Sequence, residues 1–402
     1  MSAITMVMPC YNRAHDLPRV LKAYDSQNVN QPFEIIAIDD ASTDATYEIL
    51  TSYCPVHYTL QVKHQDKNQG PAAARNQGIA LAQSPLIMFV GDDIVPNPDL
   101  VQAHLAAHND YPEPNITILG RVVWPPDIPQ NTLMKHIDGV GAQQFSYFYL
   151  QDKQEYDFRH FYTSNVSLKT TFLRQIDSWF DTHFPYAAVE DAELAYRMAQ
   201  RGLRIIYHKQ LIGYHYHYHT IWTFSVRQYR AGLMVNEIVN KHPELGNFFR
   251  VTKTRYLLIL GVLQRLSLNS LHLPEVAHWL EEQALRLTSS YEWTPHPLLD
   301  ELYSGVLEYF WRKGLIDGVF QNSSYREDIR NTYTVYYLKN RLINFLQKAK
   351  RLNIPVSIAD QNTLEQKLAQ VESPAIKYLL AFWQTSGYRL VKPWLYPQAL
   401  PI

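Results

Sequence analysis

Five apolar residues lead directly into a glycine and two acids in the segment Leu86-Ile87-Met88-Phe89-Val90-Gly91-Asp92-Asp93. A short apolar run that stops at polar residues is typical of a buried parallel strand. Open α/β sheets bind their ligands beyond the carboxyl ends of such strands. Two acids there form a hard oxygen site that suits Mg²⁺ or Mn²⁺ carrying a phosphate. Because paired acids are also common in turns, the rest of the chain decides between a site and a turn.

Two predicted strands upstream end in the same way. Residues 4–8 lead into Pro9-Cys10-Tyr11-Asn12, and residues 33–38 lead into Asp39-Asp40. Helical patterns separate the predicted strands, at residues 17–27, 45–52 and 72–82. Strands that alternate with helices predict a doubly wound, mostly parallel sheet. Polar residues then gather at several strand ends on one edge of the sheet, which favours a ligand site over a turn.

Composition narrows the class of protein. The chain has 402 residues, 46% hydrophobic and 19% charged, with a net charge of −1, so a general nucleic-acid-binding surface is not expected. Two cysteines exclude a disulfide framework and favour a reducing compartment. The N-terminus lacks the pattern of a signal peptide, and no apolar run approaches the roughly 18 residues of a membrane span. We expect a cytoplasmic protein, with peripheral association at the inner membrane face as a further option.

Four segments, in this order and spacing, resemble the motifs of family-2 glycosyltransferases: Val7–Asn12, Ile38–Thr46, Asn68–Gly78 and Phe89–Asp93. Enzymes of this family have the GT-A fold. The resemblance implies a GT-A-type, Rossmann-like α/β domain with a doubly wound mixed sheet over residues 1–235. Residues 236–402 carry apolar positions at helical spacing and are expected to form an all-α C-terminal region of unknown role.

The resemblance also implies how a nucleotide-diphosphate sugar is bound. Asp39 would accept a ring N–H of the base, which both uracil and guanine present. Arg75, in the first turns of its helix, would neutralise the diphosphate, and Asn165 would contact the donor sugar. The predicted nucleotide-sugar-binding residues are Pro9, Tyr11, Asp39, Arg75, Asp92 and Asn165.

The metal motif departs from the usual family form. Gly91 stands where the family carries its first acid, which leaves Asp93 as the predicted metal ligand and Asp92 as its support. The run Tyr214-His215-Tyr216-His217-Tyr218-His219 alternates, so we expect its histidines on one strand face. The family often places a metal-binding histidine here, so His215 and His217 are the further predicted ligands. The expected cofactor is Mn²⁺ or Mg²⁺; a separate three-histidine zinc site stays open.

The run beginning Val189-Glu190-Asp191 resembles the family's Glu-Asp motif at a helix start. The resemblance implies that Asp191 is the general base and that Glu190 orients the acceptor or a neighbouring side chain. One carboxylate suffices as a base, while a metal and Arg75 would stabilise the leaving group. Glu193 and Arg197, four residues apart, are expected to pair.

The helical region offers no motif with a known role. Helices are predicted at residues 224–239, 256–268, 274–288, 298–313 and 332–352. This region could bind an acceptor, a membrane surface or a second copy of the chain, and so form a homodimer. Lys348, Lys350 and Arg351 are candidate contacts for anionic lipid.

The predicted function is inverting transfer of a sugar from a nucleotide-diphosphate sugar, with UDP-sugar favoured, to an acceptor hydroxyl. The enzyme would be a hexosyl- or N-acetylhexosaminyl-transferase of polysaccharide or glycoconjugate synthesis, and the acceptor a saccharide, a lipid-linked group or a protein. One alternative is a retaining or polyprenyl-phosphate-directed transferase of the same fold. Another is a non-catalytic scaffold that binds a nucleotide sugar.

Overall fold

The computed structural model describes residues 2–139, 144–246, 248–249, 251, 273–321 and 326–356. The chain divides into two compact units, Met1–Tyr218 and His219–Ile402. This division lies earlier in the sequence than the expected boundary at residue 235, and the extents of the two domains remain predictions. The predicted fold class, an α/β sheet domain followed by a helical region, is confirmed.

The first unit is built on one mixed sheet. Its strands are β1 (Ile4–Cys10), β2 (Phe33–Asp39), β3 (Thr59–His64), β4 (Leu86–Val90), β5 (Ile94–Pro96), β6 (Ile116–Val123), β7 (Glu155–Tyr156), β8 (Asn165–Lys169) and β9 (Arg204–His215). Their order in the sheet is β3-β2-β1-β4-β8-β6-β9-β5, and β7 pairs with β9. Strands β1 to β4 are parallel to one another, whereas β8 runs antiparallel to both β4 and β6.

Helices cover both faces of this sheet. They are α1 (Leu17–Asp25), α2 (Thr46–Ser52), α3 (Gly70–Leu81), α4 (Leu100–Asp110), α5 (Thr132–Gly139), α6 (Thr170–Leu173) and α7 (Glu190–Ala199). Alternate residues of β1 enter two different cores: Val7 packs with residues of α3 and α7, while Met6 and Met8 pack with residues of α1 and α4. This double burial explains why the strands read as continuous apolar runs.

The register of the parallel strands sets the position of the polar strand ends. Cys10 of β1 pairs with Asp39 of β2, and Val7 pairs with Phe89 of β4. The residues that follow these three strands therefore lie at one edge of the sheet. This is the edge that the sequence motifs indicate.

The second unit is helical where the structure describes it. Its helices are α8 (Ile221–Lys241), α9 (Leu273–Ser289), α10 (Leu299–Val319) and α11 (Arg326–Arg351). Lys348 of α11 pairs with Glu301 at 2.5 Å. The helix predicted at residues 256–268 lies outside the described residues. Among the described helices, none combines the length and apolar character needed to cross a membrane.

Two glycines allow α8 and α10 to pack backbone against backbone. A Cβ added at Gly314 of α10 would lie 1.9 Å from the carbonyl oxygen of Tyr229, and one at Gly232 of α8 would lie 1.8 Å from that of Trp311. Since real side chains do not tolerate such distances, each glycine is required by the spacing of this helix pair.

We expect Gly314→Ala to lower the free energy of unfolding by about 1–3 kcal/mol, because overpacking outweighs the better helix propensity of alanine. Gly305→Ala, in the same helix, is the control. Its Cβ would lie 3.4 Å from the flexible side chain of Arg341, so stability should be unchanged or slightly raised. Urea unfolding measures both variants, and equal stabilities would contradict the close packing of α8 and α10.

Candidate active site

An acidic turn follows β4 at the polar edge of the sheet. The side chains of Asp92 and Asp93 are 12% and 10% exposed. The backbone N–H of Tyr11, directly after β1, donates to Asp92 Oδ2 at 3.1 Å. Asp93 Oδ2 lies 3.4 Å from His215 Nε2 and 3.2 Å from His217 Nδ1. One carboxylate and two imidazoles thus converge within 4.8 Å and can hold a metal ion.

Gly91 makes room for the carboxylate of Asp93. A Cβ at this position would lie 2.9 Å from Asp93 Oδ1 and 3.0 Å from Ile94 Cγ1. Any side chain at residue 91, including the acid usual in the family, would push the Asp93 carboxylate out of its present place. The missing acid and the position of Asp93 are therefore linked.

The histidines reach this site in a way that differs from the prediction. Strand β9 ends at His215, so the expectation that three histidines share one strand face is wrong. After β5 and β9 pair through Ile94 and His215, the chain leaves the sheet, and the Tyr216 N–H donates to the carbonyl oxygen of Asp93 at 2.9 Å. That bond holds His217 over the acidic turn.

His215 and His219 have different surroundings. The ring of His215 stacks on Trp124, with centroids 5.3 Å apart and planes 10° apart. His219 instead packs against Phe224. In the described part of the chain, the cluster with metal-ligand spacing is Asp93, His215 and His217, so a separate three-histidine zinc site is not observed.

Arg13 is a member of this site that the sequence prediction missed. Its Nη2 lies 2.9 Å from Asp93 Oδ2 and 3.2 Å from His217 Nδ1, and its Nε lies 3.3 Å from Asp92 Oδ1. The only sequence signal was a basic residue two positions after Tyr11, at a strand end shared with the acids.

The surrounding charges shift the pKa values of Asp92 and Asp93 in opposite directions. Burial and the repulsion of Asp93 raise the pKa of Asp92 above its ordinary value. Burial also tends to raise the pKa of Asp93, but His215, His217 and Arg13 outweigh it and hold that pKa well below the usual range. Asp93 therefore keeps its negative charge more readily than Asp92, which suits it to a cation.

Asp39 occupies the end of β2 and is completely buried. Its Oδ2 accepts a hydrogen bond from His64 Nδ1 at 2.7 Å and one from the Ser42 N–H at 3.3 Å. Its Oδ1 has no hydrogen-bond partner in the described part of the chain. A buried, unpaired carboxylate oxygen is costly, and such an atom often marks a ligand contact.

Arg75 and Glu190 form a buried ion pair. Arg75 Nη1 lies 2.7 Å from Glu190 Oε1, with side chains 9% and 3% exposed. The guanidinium also lies 5.2 Å from the ring centroid of Phe180. The predicted role of Glu190, which is to orient the acceptor or a neighbouring side chain, stays a prediction. Whether Arg75 contacts a diphosphate stays a prediction.

The predicted base lies next in the chain. Asp191 is half-buried in the first turn of α7, and its Oδ1 accepts the Ala192 N–H at 2.8 Å. Val189, just before the two acids, has φ 60°, a conformation that costs a β-branched residue about 1–3 kcal/mol. The predicted pairing of Glu193 with Arg197 is confirmed, at 2.9 Å.

The structure does not place Asn165 at the site, so its predicted contact with the donor sugar is wrong. The side chain is fully buried, and its Nδ2 donates to the carbonyl oxygens of Arg121 and Leu211 at 3.1 and 2.9 Å. Its Oδ1 lies 2.9 Å from His104 Nε2. Asn165 therefore joins strands in the interior.

The two remaining predicted contacts lie at the end of β1. Tyr11 is 45% exposed, which leaves its ring accessible to a ligand. Pro9, within the strand, pairs in register with Ile38 and offers backbone only. Both roles in donor binding remain predictions.

A cavity adjoins the metal-ligand cluster. Its volume is about 20 Å³, and it is lined by Trp124, Phe145, His215, Asp138 and neighbouring residues. Burial raises the pKa of Asp138. A space of this size holds about one water molecule.

Comparison with known proteins agrees with this architecture. The mannosyltransferase PcManGT of Pyrobaculum calidifontis, solved with GDP-Man and Mn²⁺, shares the fold with a TM-score of 0.50, 14% identity, and coverage of 80% of this chain and 88% of that one. The first unit is thus a GT-A-type domain. Residues 5–176 match the family model described as Glycosyl transferase family 2. This match supports the resemblance of the first unit to that family.

Curated relatives carry glycosyltransferase names. Validoxylamine A glucosyltransferase of Streptomyces hygroscopicus subsp. jinggangensis is 29% identical over 265 residues, 60% of this chain and 61% of that protein. Hyaluronan synthase of Pasteurella multocida is 25% identical over 225 residues, 50% of this chain and 23% of that protein. The chain spans less than two thirds of the length of these relatives.

We expect Glu190→Gln to lower the free energy of unfolding by about 3 kcal/mol, because it leaves the buried guanidinium of Arg75 without a counter-charge. The double variant Arg75→Met/Glu190→Gln should lose less than the sum of the two single variants. Urea unfolding of this double-mutant cycle gives the coupling energy. Additive losses would show that the two charges do not stabilise each other.

Proposed function

We propose that this protein transfers a hexosyl or N-acetylhexosaminyl group, with inversion, from a UDP-sugar to an acceptor hydroxyl. The observation that carries the proposal is the convergence of Asp93, His215 and His217 at the sheet edge that also bears Asp39. Base, diphosphate and sugar can then extend along one edge of a family-2 domain.

The preference for uracil follows from the hydrogen bonds of Asp39. Uracil offers one ring N–H, whereas guanine offers two adjacent donors that suit both oxygens of a carboxylate. Since Asp39 Oδ2 already accepts from His64 and Ser42, one oxygen remains. That oxygen is covered, so base binding requires a neighbouring side chain to move. The fold neighbour PcManGT was solved with a guanine nucleotide, GDP-Man, and so does not support uracil. The preference for uracil over guanine therefore rests on Asp39 alone.

The metal would be held by Asp93, His215 and His217, with Asp92 in support. The donor set fits a divalent transition ion, and two imidazole ligands favour Mn²⁺ over Mg²⁺. When bound, the ion would offset the charge that develops on the departing diphosphate. Arg75 is the protein cation assigned to the same diphosphate.

Asp191 is the proposed general base. Its carboxylate takes the proton of the acceptor hydroxyl as that oxygen attacks the anomeric carbon. The bond from the anomeric carbon to the phosphate oxygen breaks, and its electron pair leaves with the nucleoside diphosphate. Attack opposite the leaving group inverts the anomeric centre. The acceptor is a hydroxyl of a saccharide or glycoconjugate, as the names of the relatives suggest.

We expect Asp191→Asn to reduce kcat about 10³-fold, because a positioned general base contributes roughly 10²–10⁴-fold. Affinity for the UDP-sugar should stay within about twofold, since the base acts on the acceptor. Asp177→Asn, which removes an exposed acid, is the control and should keep full activity. Turnover is followed by release of UDP, and NMR of the product reports its anomeric configuration. Unchanged turnover in Asp191→Asn would favour a non-catalytic, nucleotide-sugar-binding role.

We expect the wild-type protein to bind UDP at least about tenfold more tightly than GDP, a difference of about 1.4 kcal/mol. His64→Ala should narrow this ratio, because it frees Asp39 Oδ2 for the second donor of guanine. His57→Ala, an exposed histidine beside Asp25, is the control and should keep the wild-type ratio. Calorimetric titration measures each affinity. Equal binding of UDP and GDP by the wild-type protein would contradict the assignment of uracil.

Cytoplasmic location, contact with a membrane surface and dimerisation through the helical region remain predictions.

A further inference from the structure

Arg13 contacts the side chains that would hold a metal ion. Its Nη2 contacts two of the three candidate ligands, Asp93 Oδ2 at 2.9 Å and His217 Nδ1 at 3.2 Å. A guanidinium carries donors in a planar fork and no acceptor. Arg13 and a divalent cation therefore compete for the same electron pairs.

The hydrogen bonds around His217 Nδ1 are not mutually compatible. This nitrogen lies 3.2 Å from Arg13 Nη2, which can only donate, and 3.2 Å from Asp93 Oδ2, which can only accept while ionised. If Nδ1 carries a proton it opposes Arg13, and if it carries a lone pair it opposes Asp93. A divalent cation removes the conflict, because it accepts electron pairs from the imidazole and the carboxylate together.

The backbone of Arg13 is fixed while its side chain reaches the surface. The Arg13 N–H donates to Thr46 Oγ1 at 2.7 Å, and the Arg13 carbonyl accepts from the N–H groups of Asp16 and Leu17. The side chain is 26% exposed. Reorientation of its guanidinium therefore requires no change in the sheet or in α1.

We propose that Arg13 is an exchangeable internal counter-ion: it neutralises Asp92 and Asp93 when no metal is bound, and it moves to the donor diphosphate when a metal enters. This inference rests on the proposed function, because the diphosphate is what receives the displaced guanidinium. Arginine is well suited to that transfer, since its fork matches phosphate as well as carboxylate.

The exchange couples two binding events. Metal binding alone must displace Arg13 from two buried acids into solvent, which opposes it. When UDP is present, the displaced guanidinium gains a phosphate partner, so UDP strengthens metal binding. By linkage, the metal strengthens UDP binding by the same factor.

The test measures Mn²⁺ affinity of the full chain by calorimetry, without nucleotide and with saturating UDP. In Arg13→Met, the affinity for Mn²⁺ alone should rise about tenfold, and the strengthening by UDP should fall to within about twofold. Arg19→Met is the matched control. Arg19 pairs with Asp127 and stacks on Tyr216, and it has no ion pair with Asp92 or Asp93 among the described contacts. It should behave as wild type.

Thermal unfolding keeps the test decisive if Arg13→Met is less stable. Without metal, the variant should unfold at a lower temperature than wild type, because two buried carboxylates lose their counter-ion. Mn²⁺ should then raise its unfolding temperature by more than it raises that of wild type. The conservative variant Arg13→Lys should lie between the two.

Several results would overturn the inference. These are unchanged or weaker Mn²⁺ affinity in Arg13→Met, no Mn²⁺ binding by either protein, or loss of the UDP effect in Arg19→Met as well. Failure of the proposed function is a separate result. Suppose that the wild-type protein does not turn over UDP-sugars but Arg13→Met shows the tenfold rise in Mn²⁺ affinity. The role of Arg13 as a counter-ion would then stand, and the proposed reaction would be contradicted.

Discussion

Two neighbouring carboxylates, almost out of solvent, are the electrostatic constraint on the candidate site. An unpaired buried charge is too costly to keep, so cations and donors must gather around Asp92 and Asp93. They come from distant parts of the chain: Arg13 after β1, the Tyr11 N–H, and His215 and His217 at the end of β9. The strand ends place the first three, and the Tyr216 N–H bond to the Asp93 carbonyl places His217. The strand register and the charge balance therefore depend on each other.

A second buried acid lies on the same edge, two strands away from the acidic turn. Asp39 is also buried at a strand end; one of its oxygens accepts from His64 and Ser42, and the other has no partner among the described residues. Arg75 and Glu190 neutralise each other. The edge thus holds two acids among cationic and imidazole groups and one buried acid with an unpaired oxygen, while the Arg75–Glu190 pair joins α3 to α7. A nucleotide sugar, which combines a neutral base with a charged diphosphate, matches these two features of the edge.

The sequence alone predicted the parallel half of the sheet well, because buried parallel strands read as apolar runs and their ends carry polar residues. It could not predict the antiparallel insertion of β8, which depends on pairing between distant segments. Asn165 shows the limit of motif resemblance: a strand residue faces one of two sides, and a one-residue shift exchanges them. Arg13 was missed because its role arises only when β1 and β4 lie side by side. The prediction of three histidines on one strand face was wrong because the Tyr-His alternation continues to His219, whereas the strand ends at His215.

The stacking of His215 on Trp124 joins two parts of the site. One face of this imidazole covers the cavity that Trp124 and Phe145 line, while its Nε2 points to Asp93. A molecule that fills the cavity touches the ring that carries a candidate metal ligand. The cavity wall and the ligand set around Asp93 therefore share one side chain. A tilt of this one ring would change the shape of the cavity and the distance from Nε2 to Asp93 together.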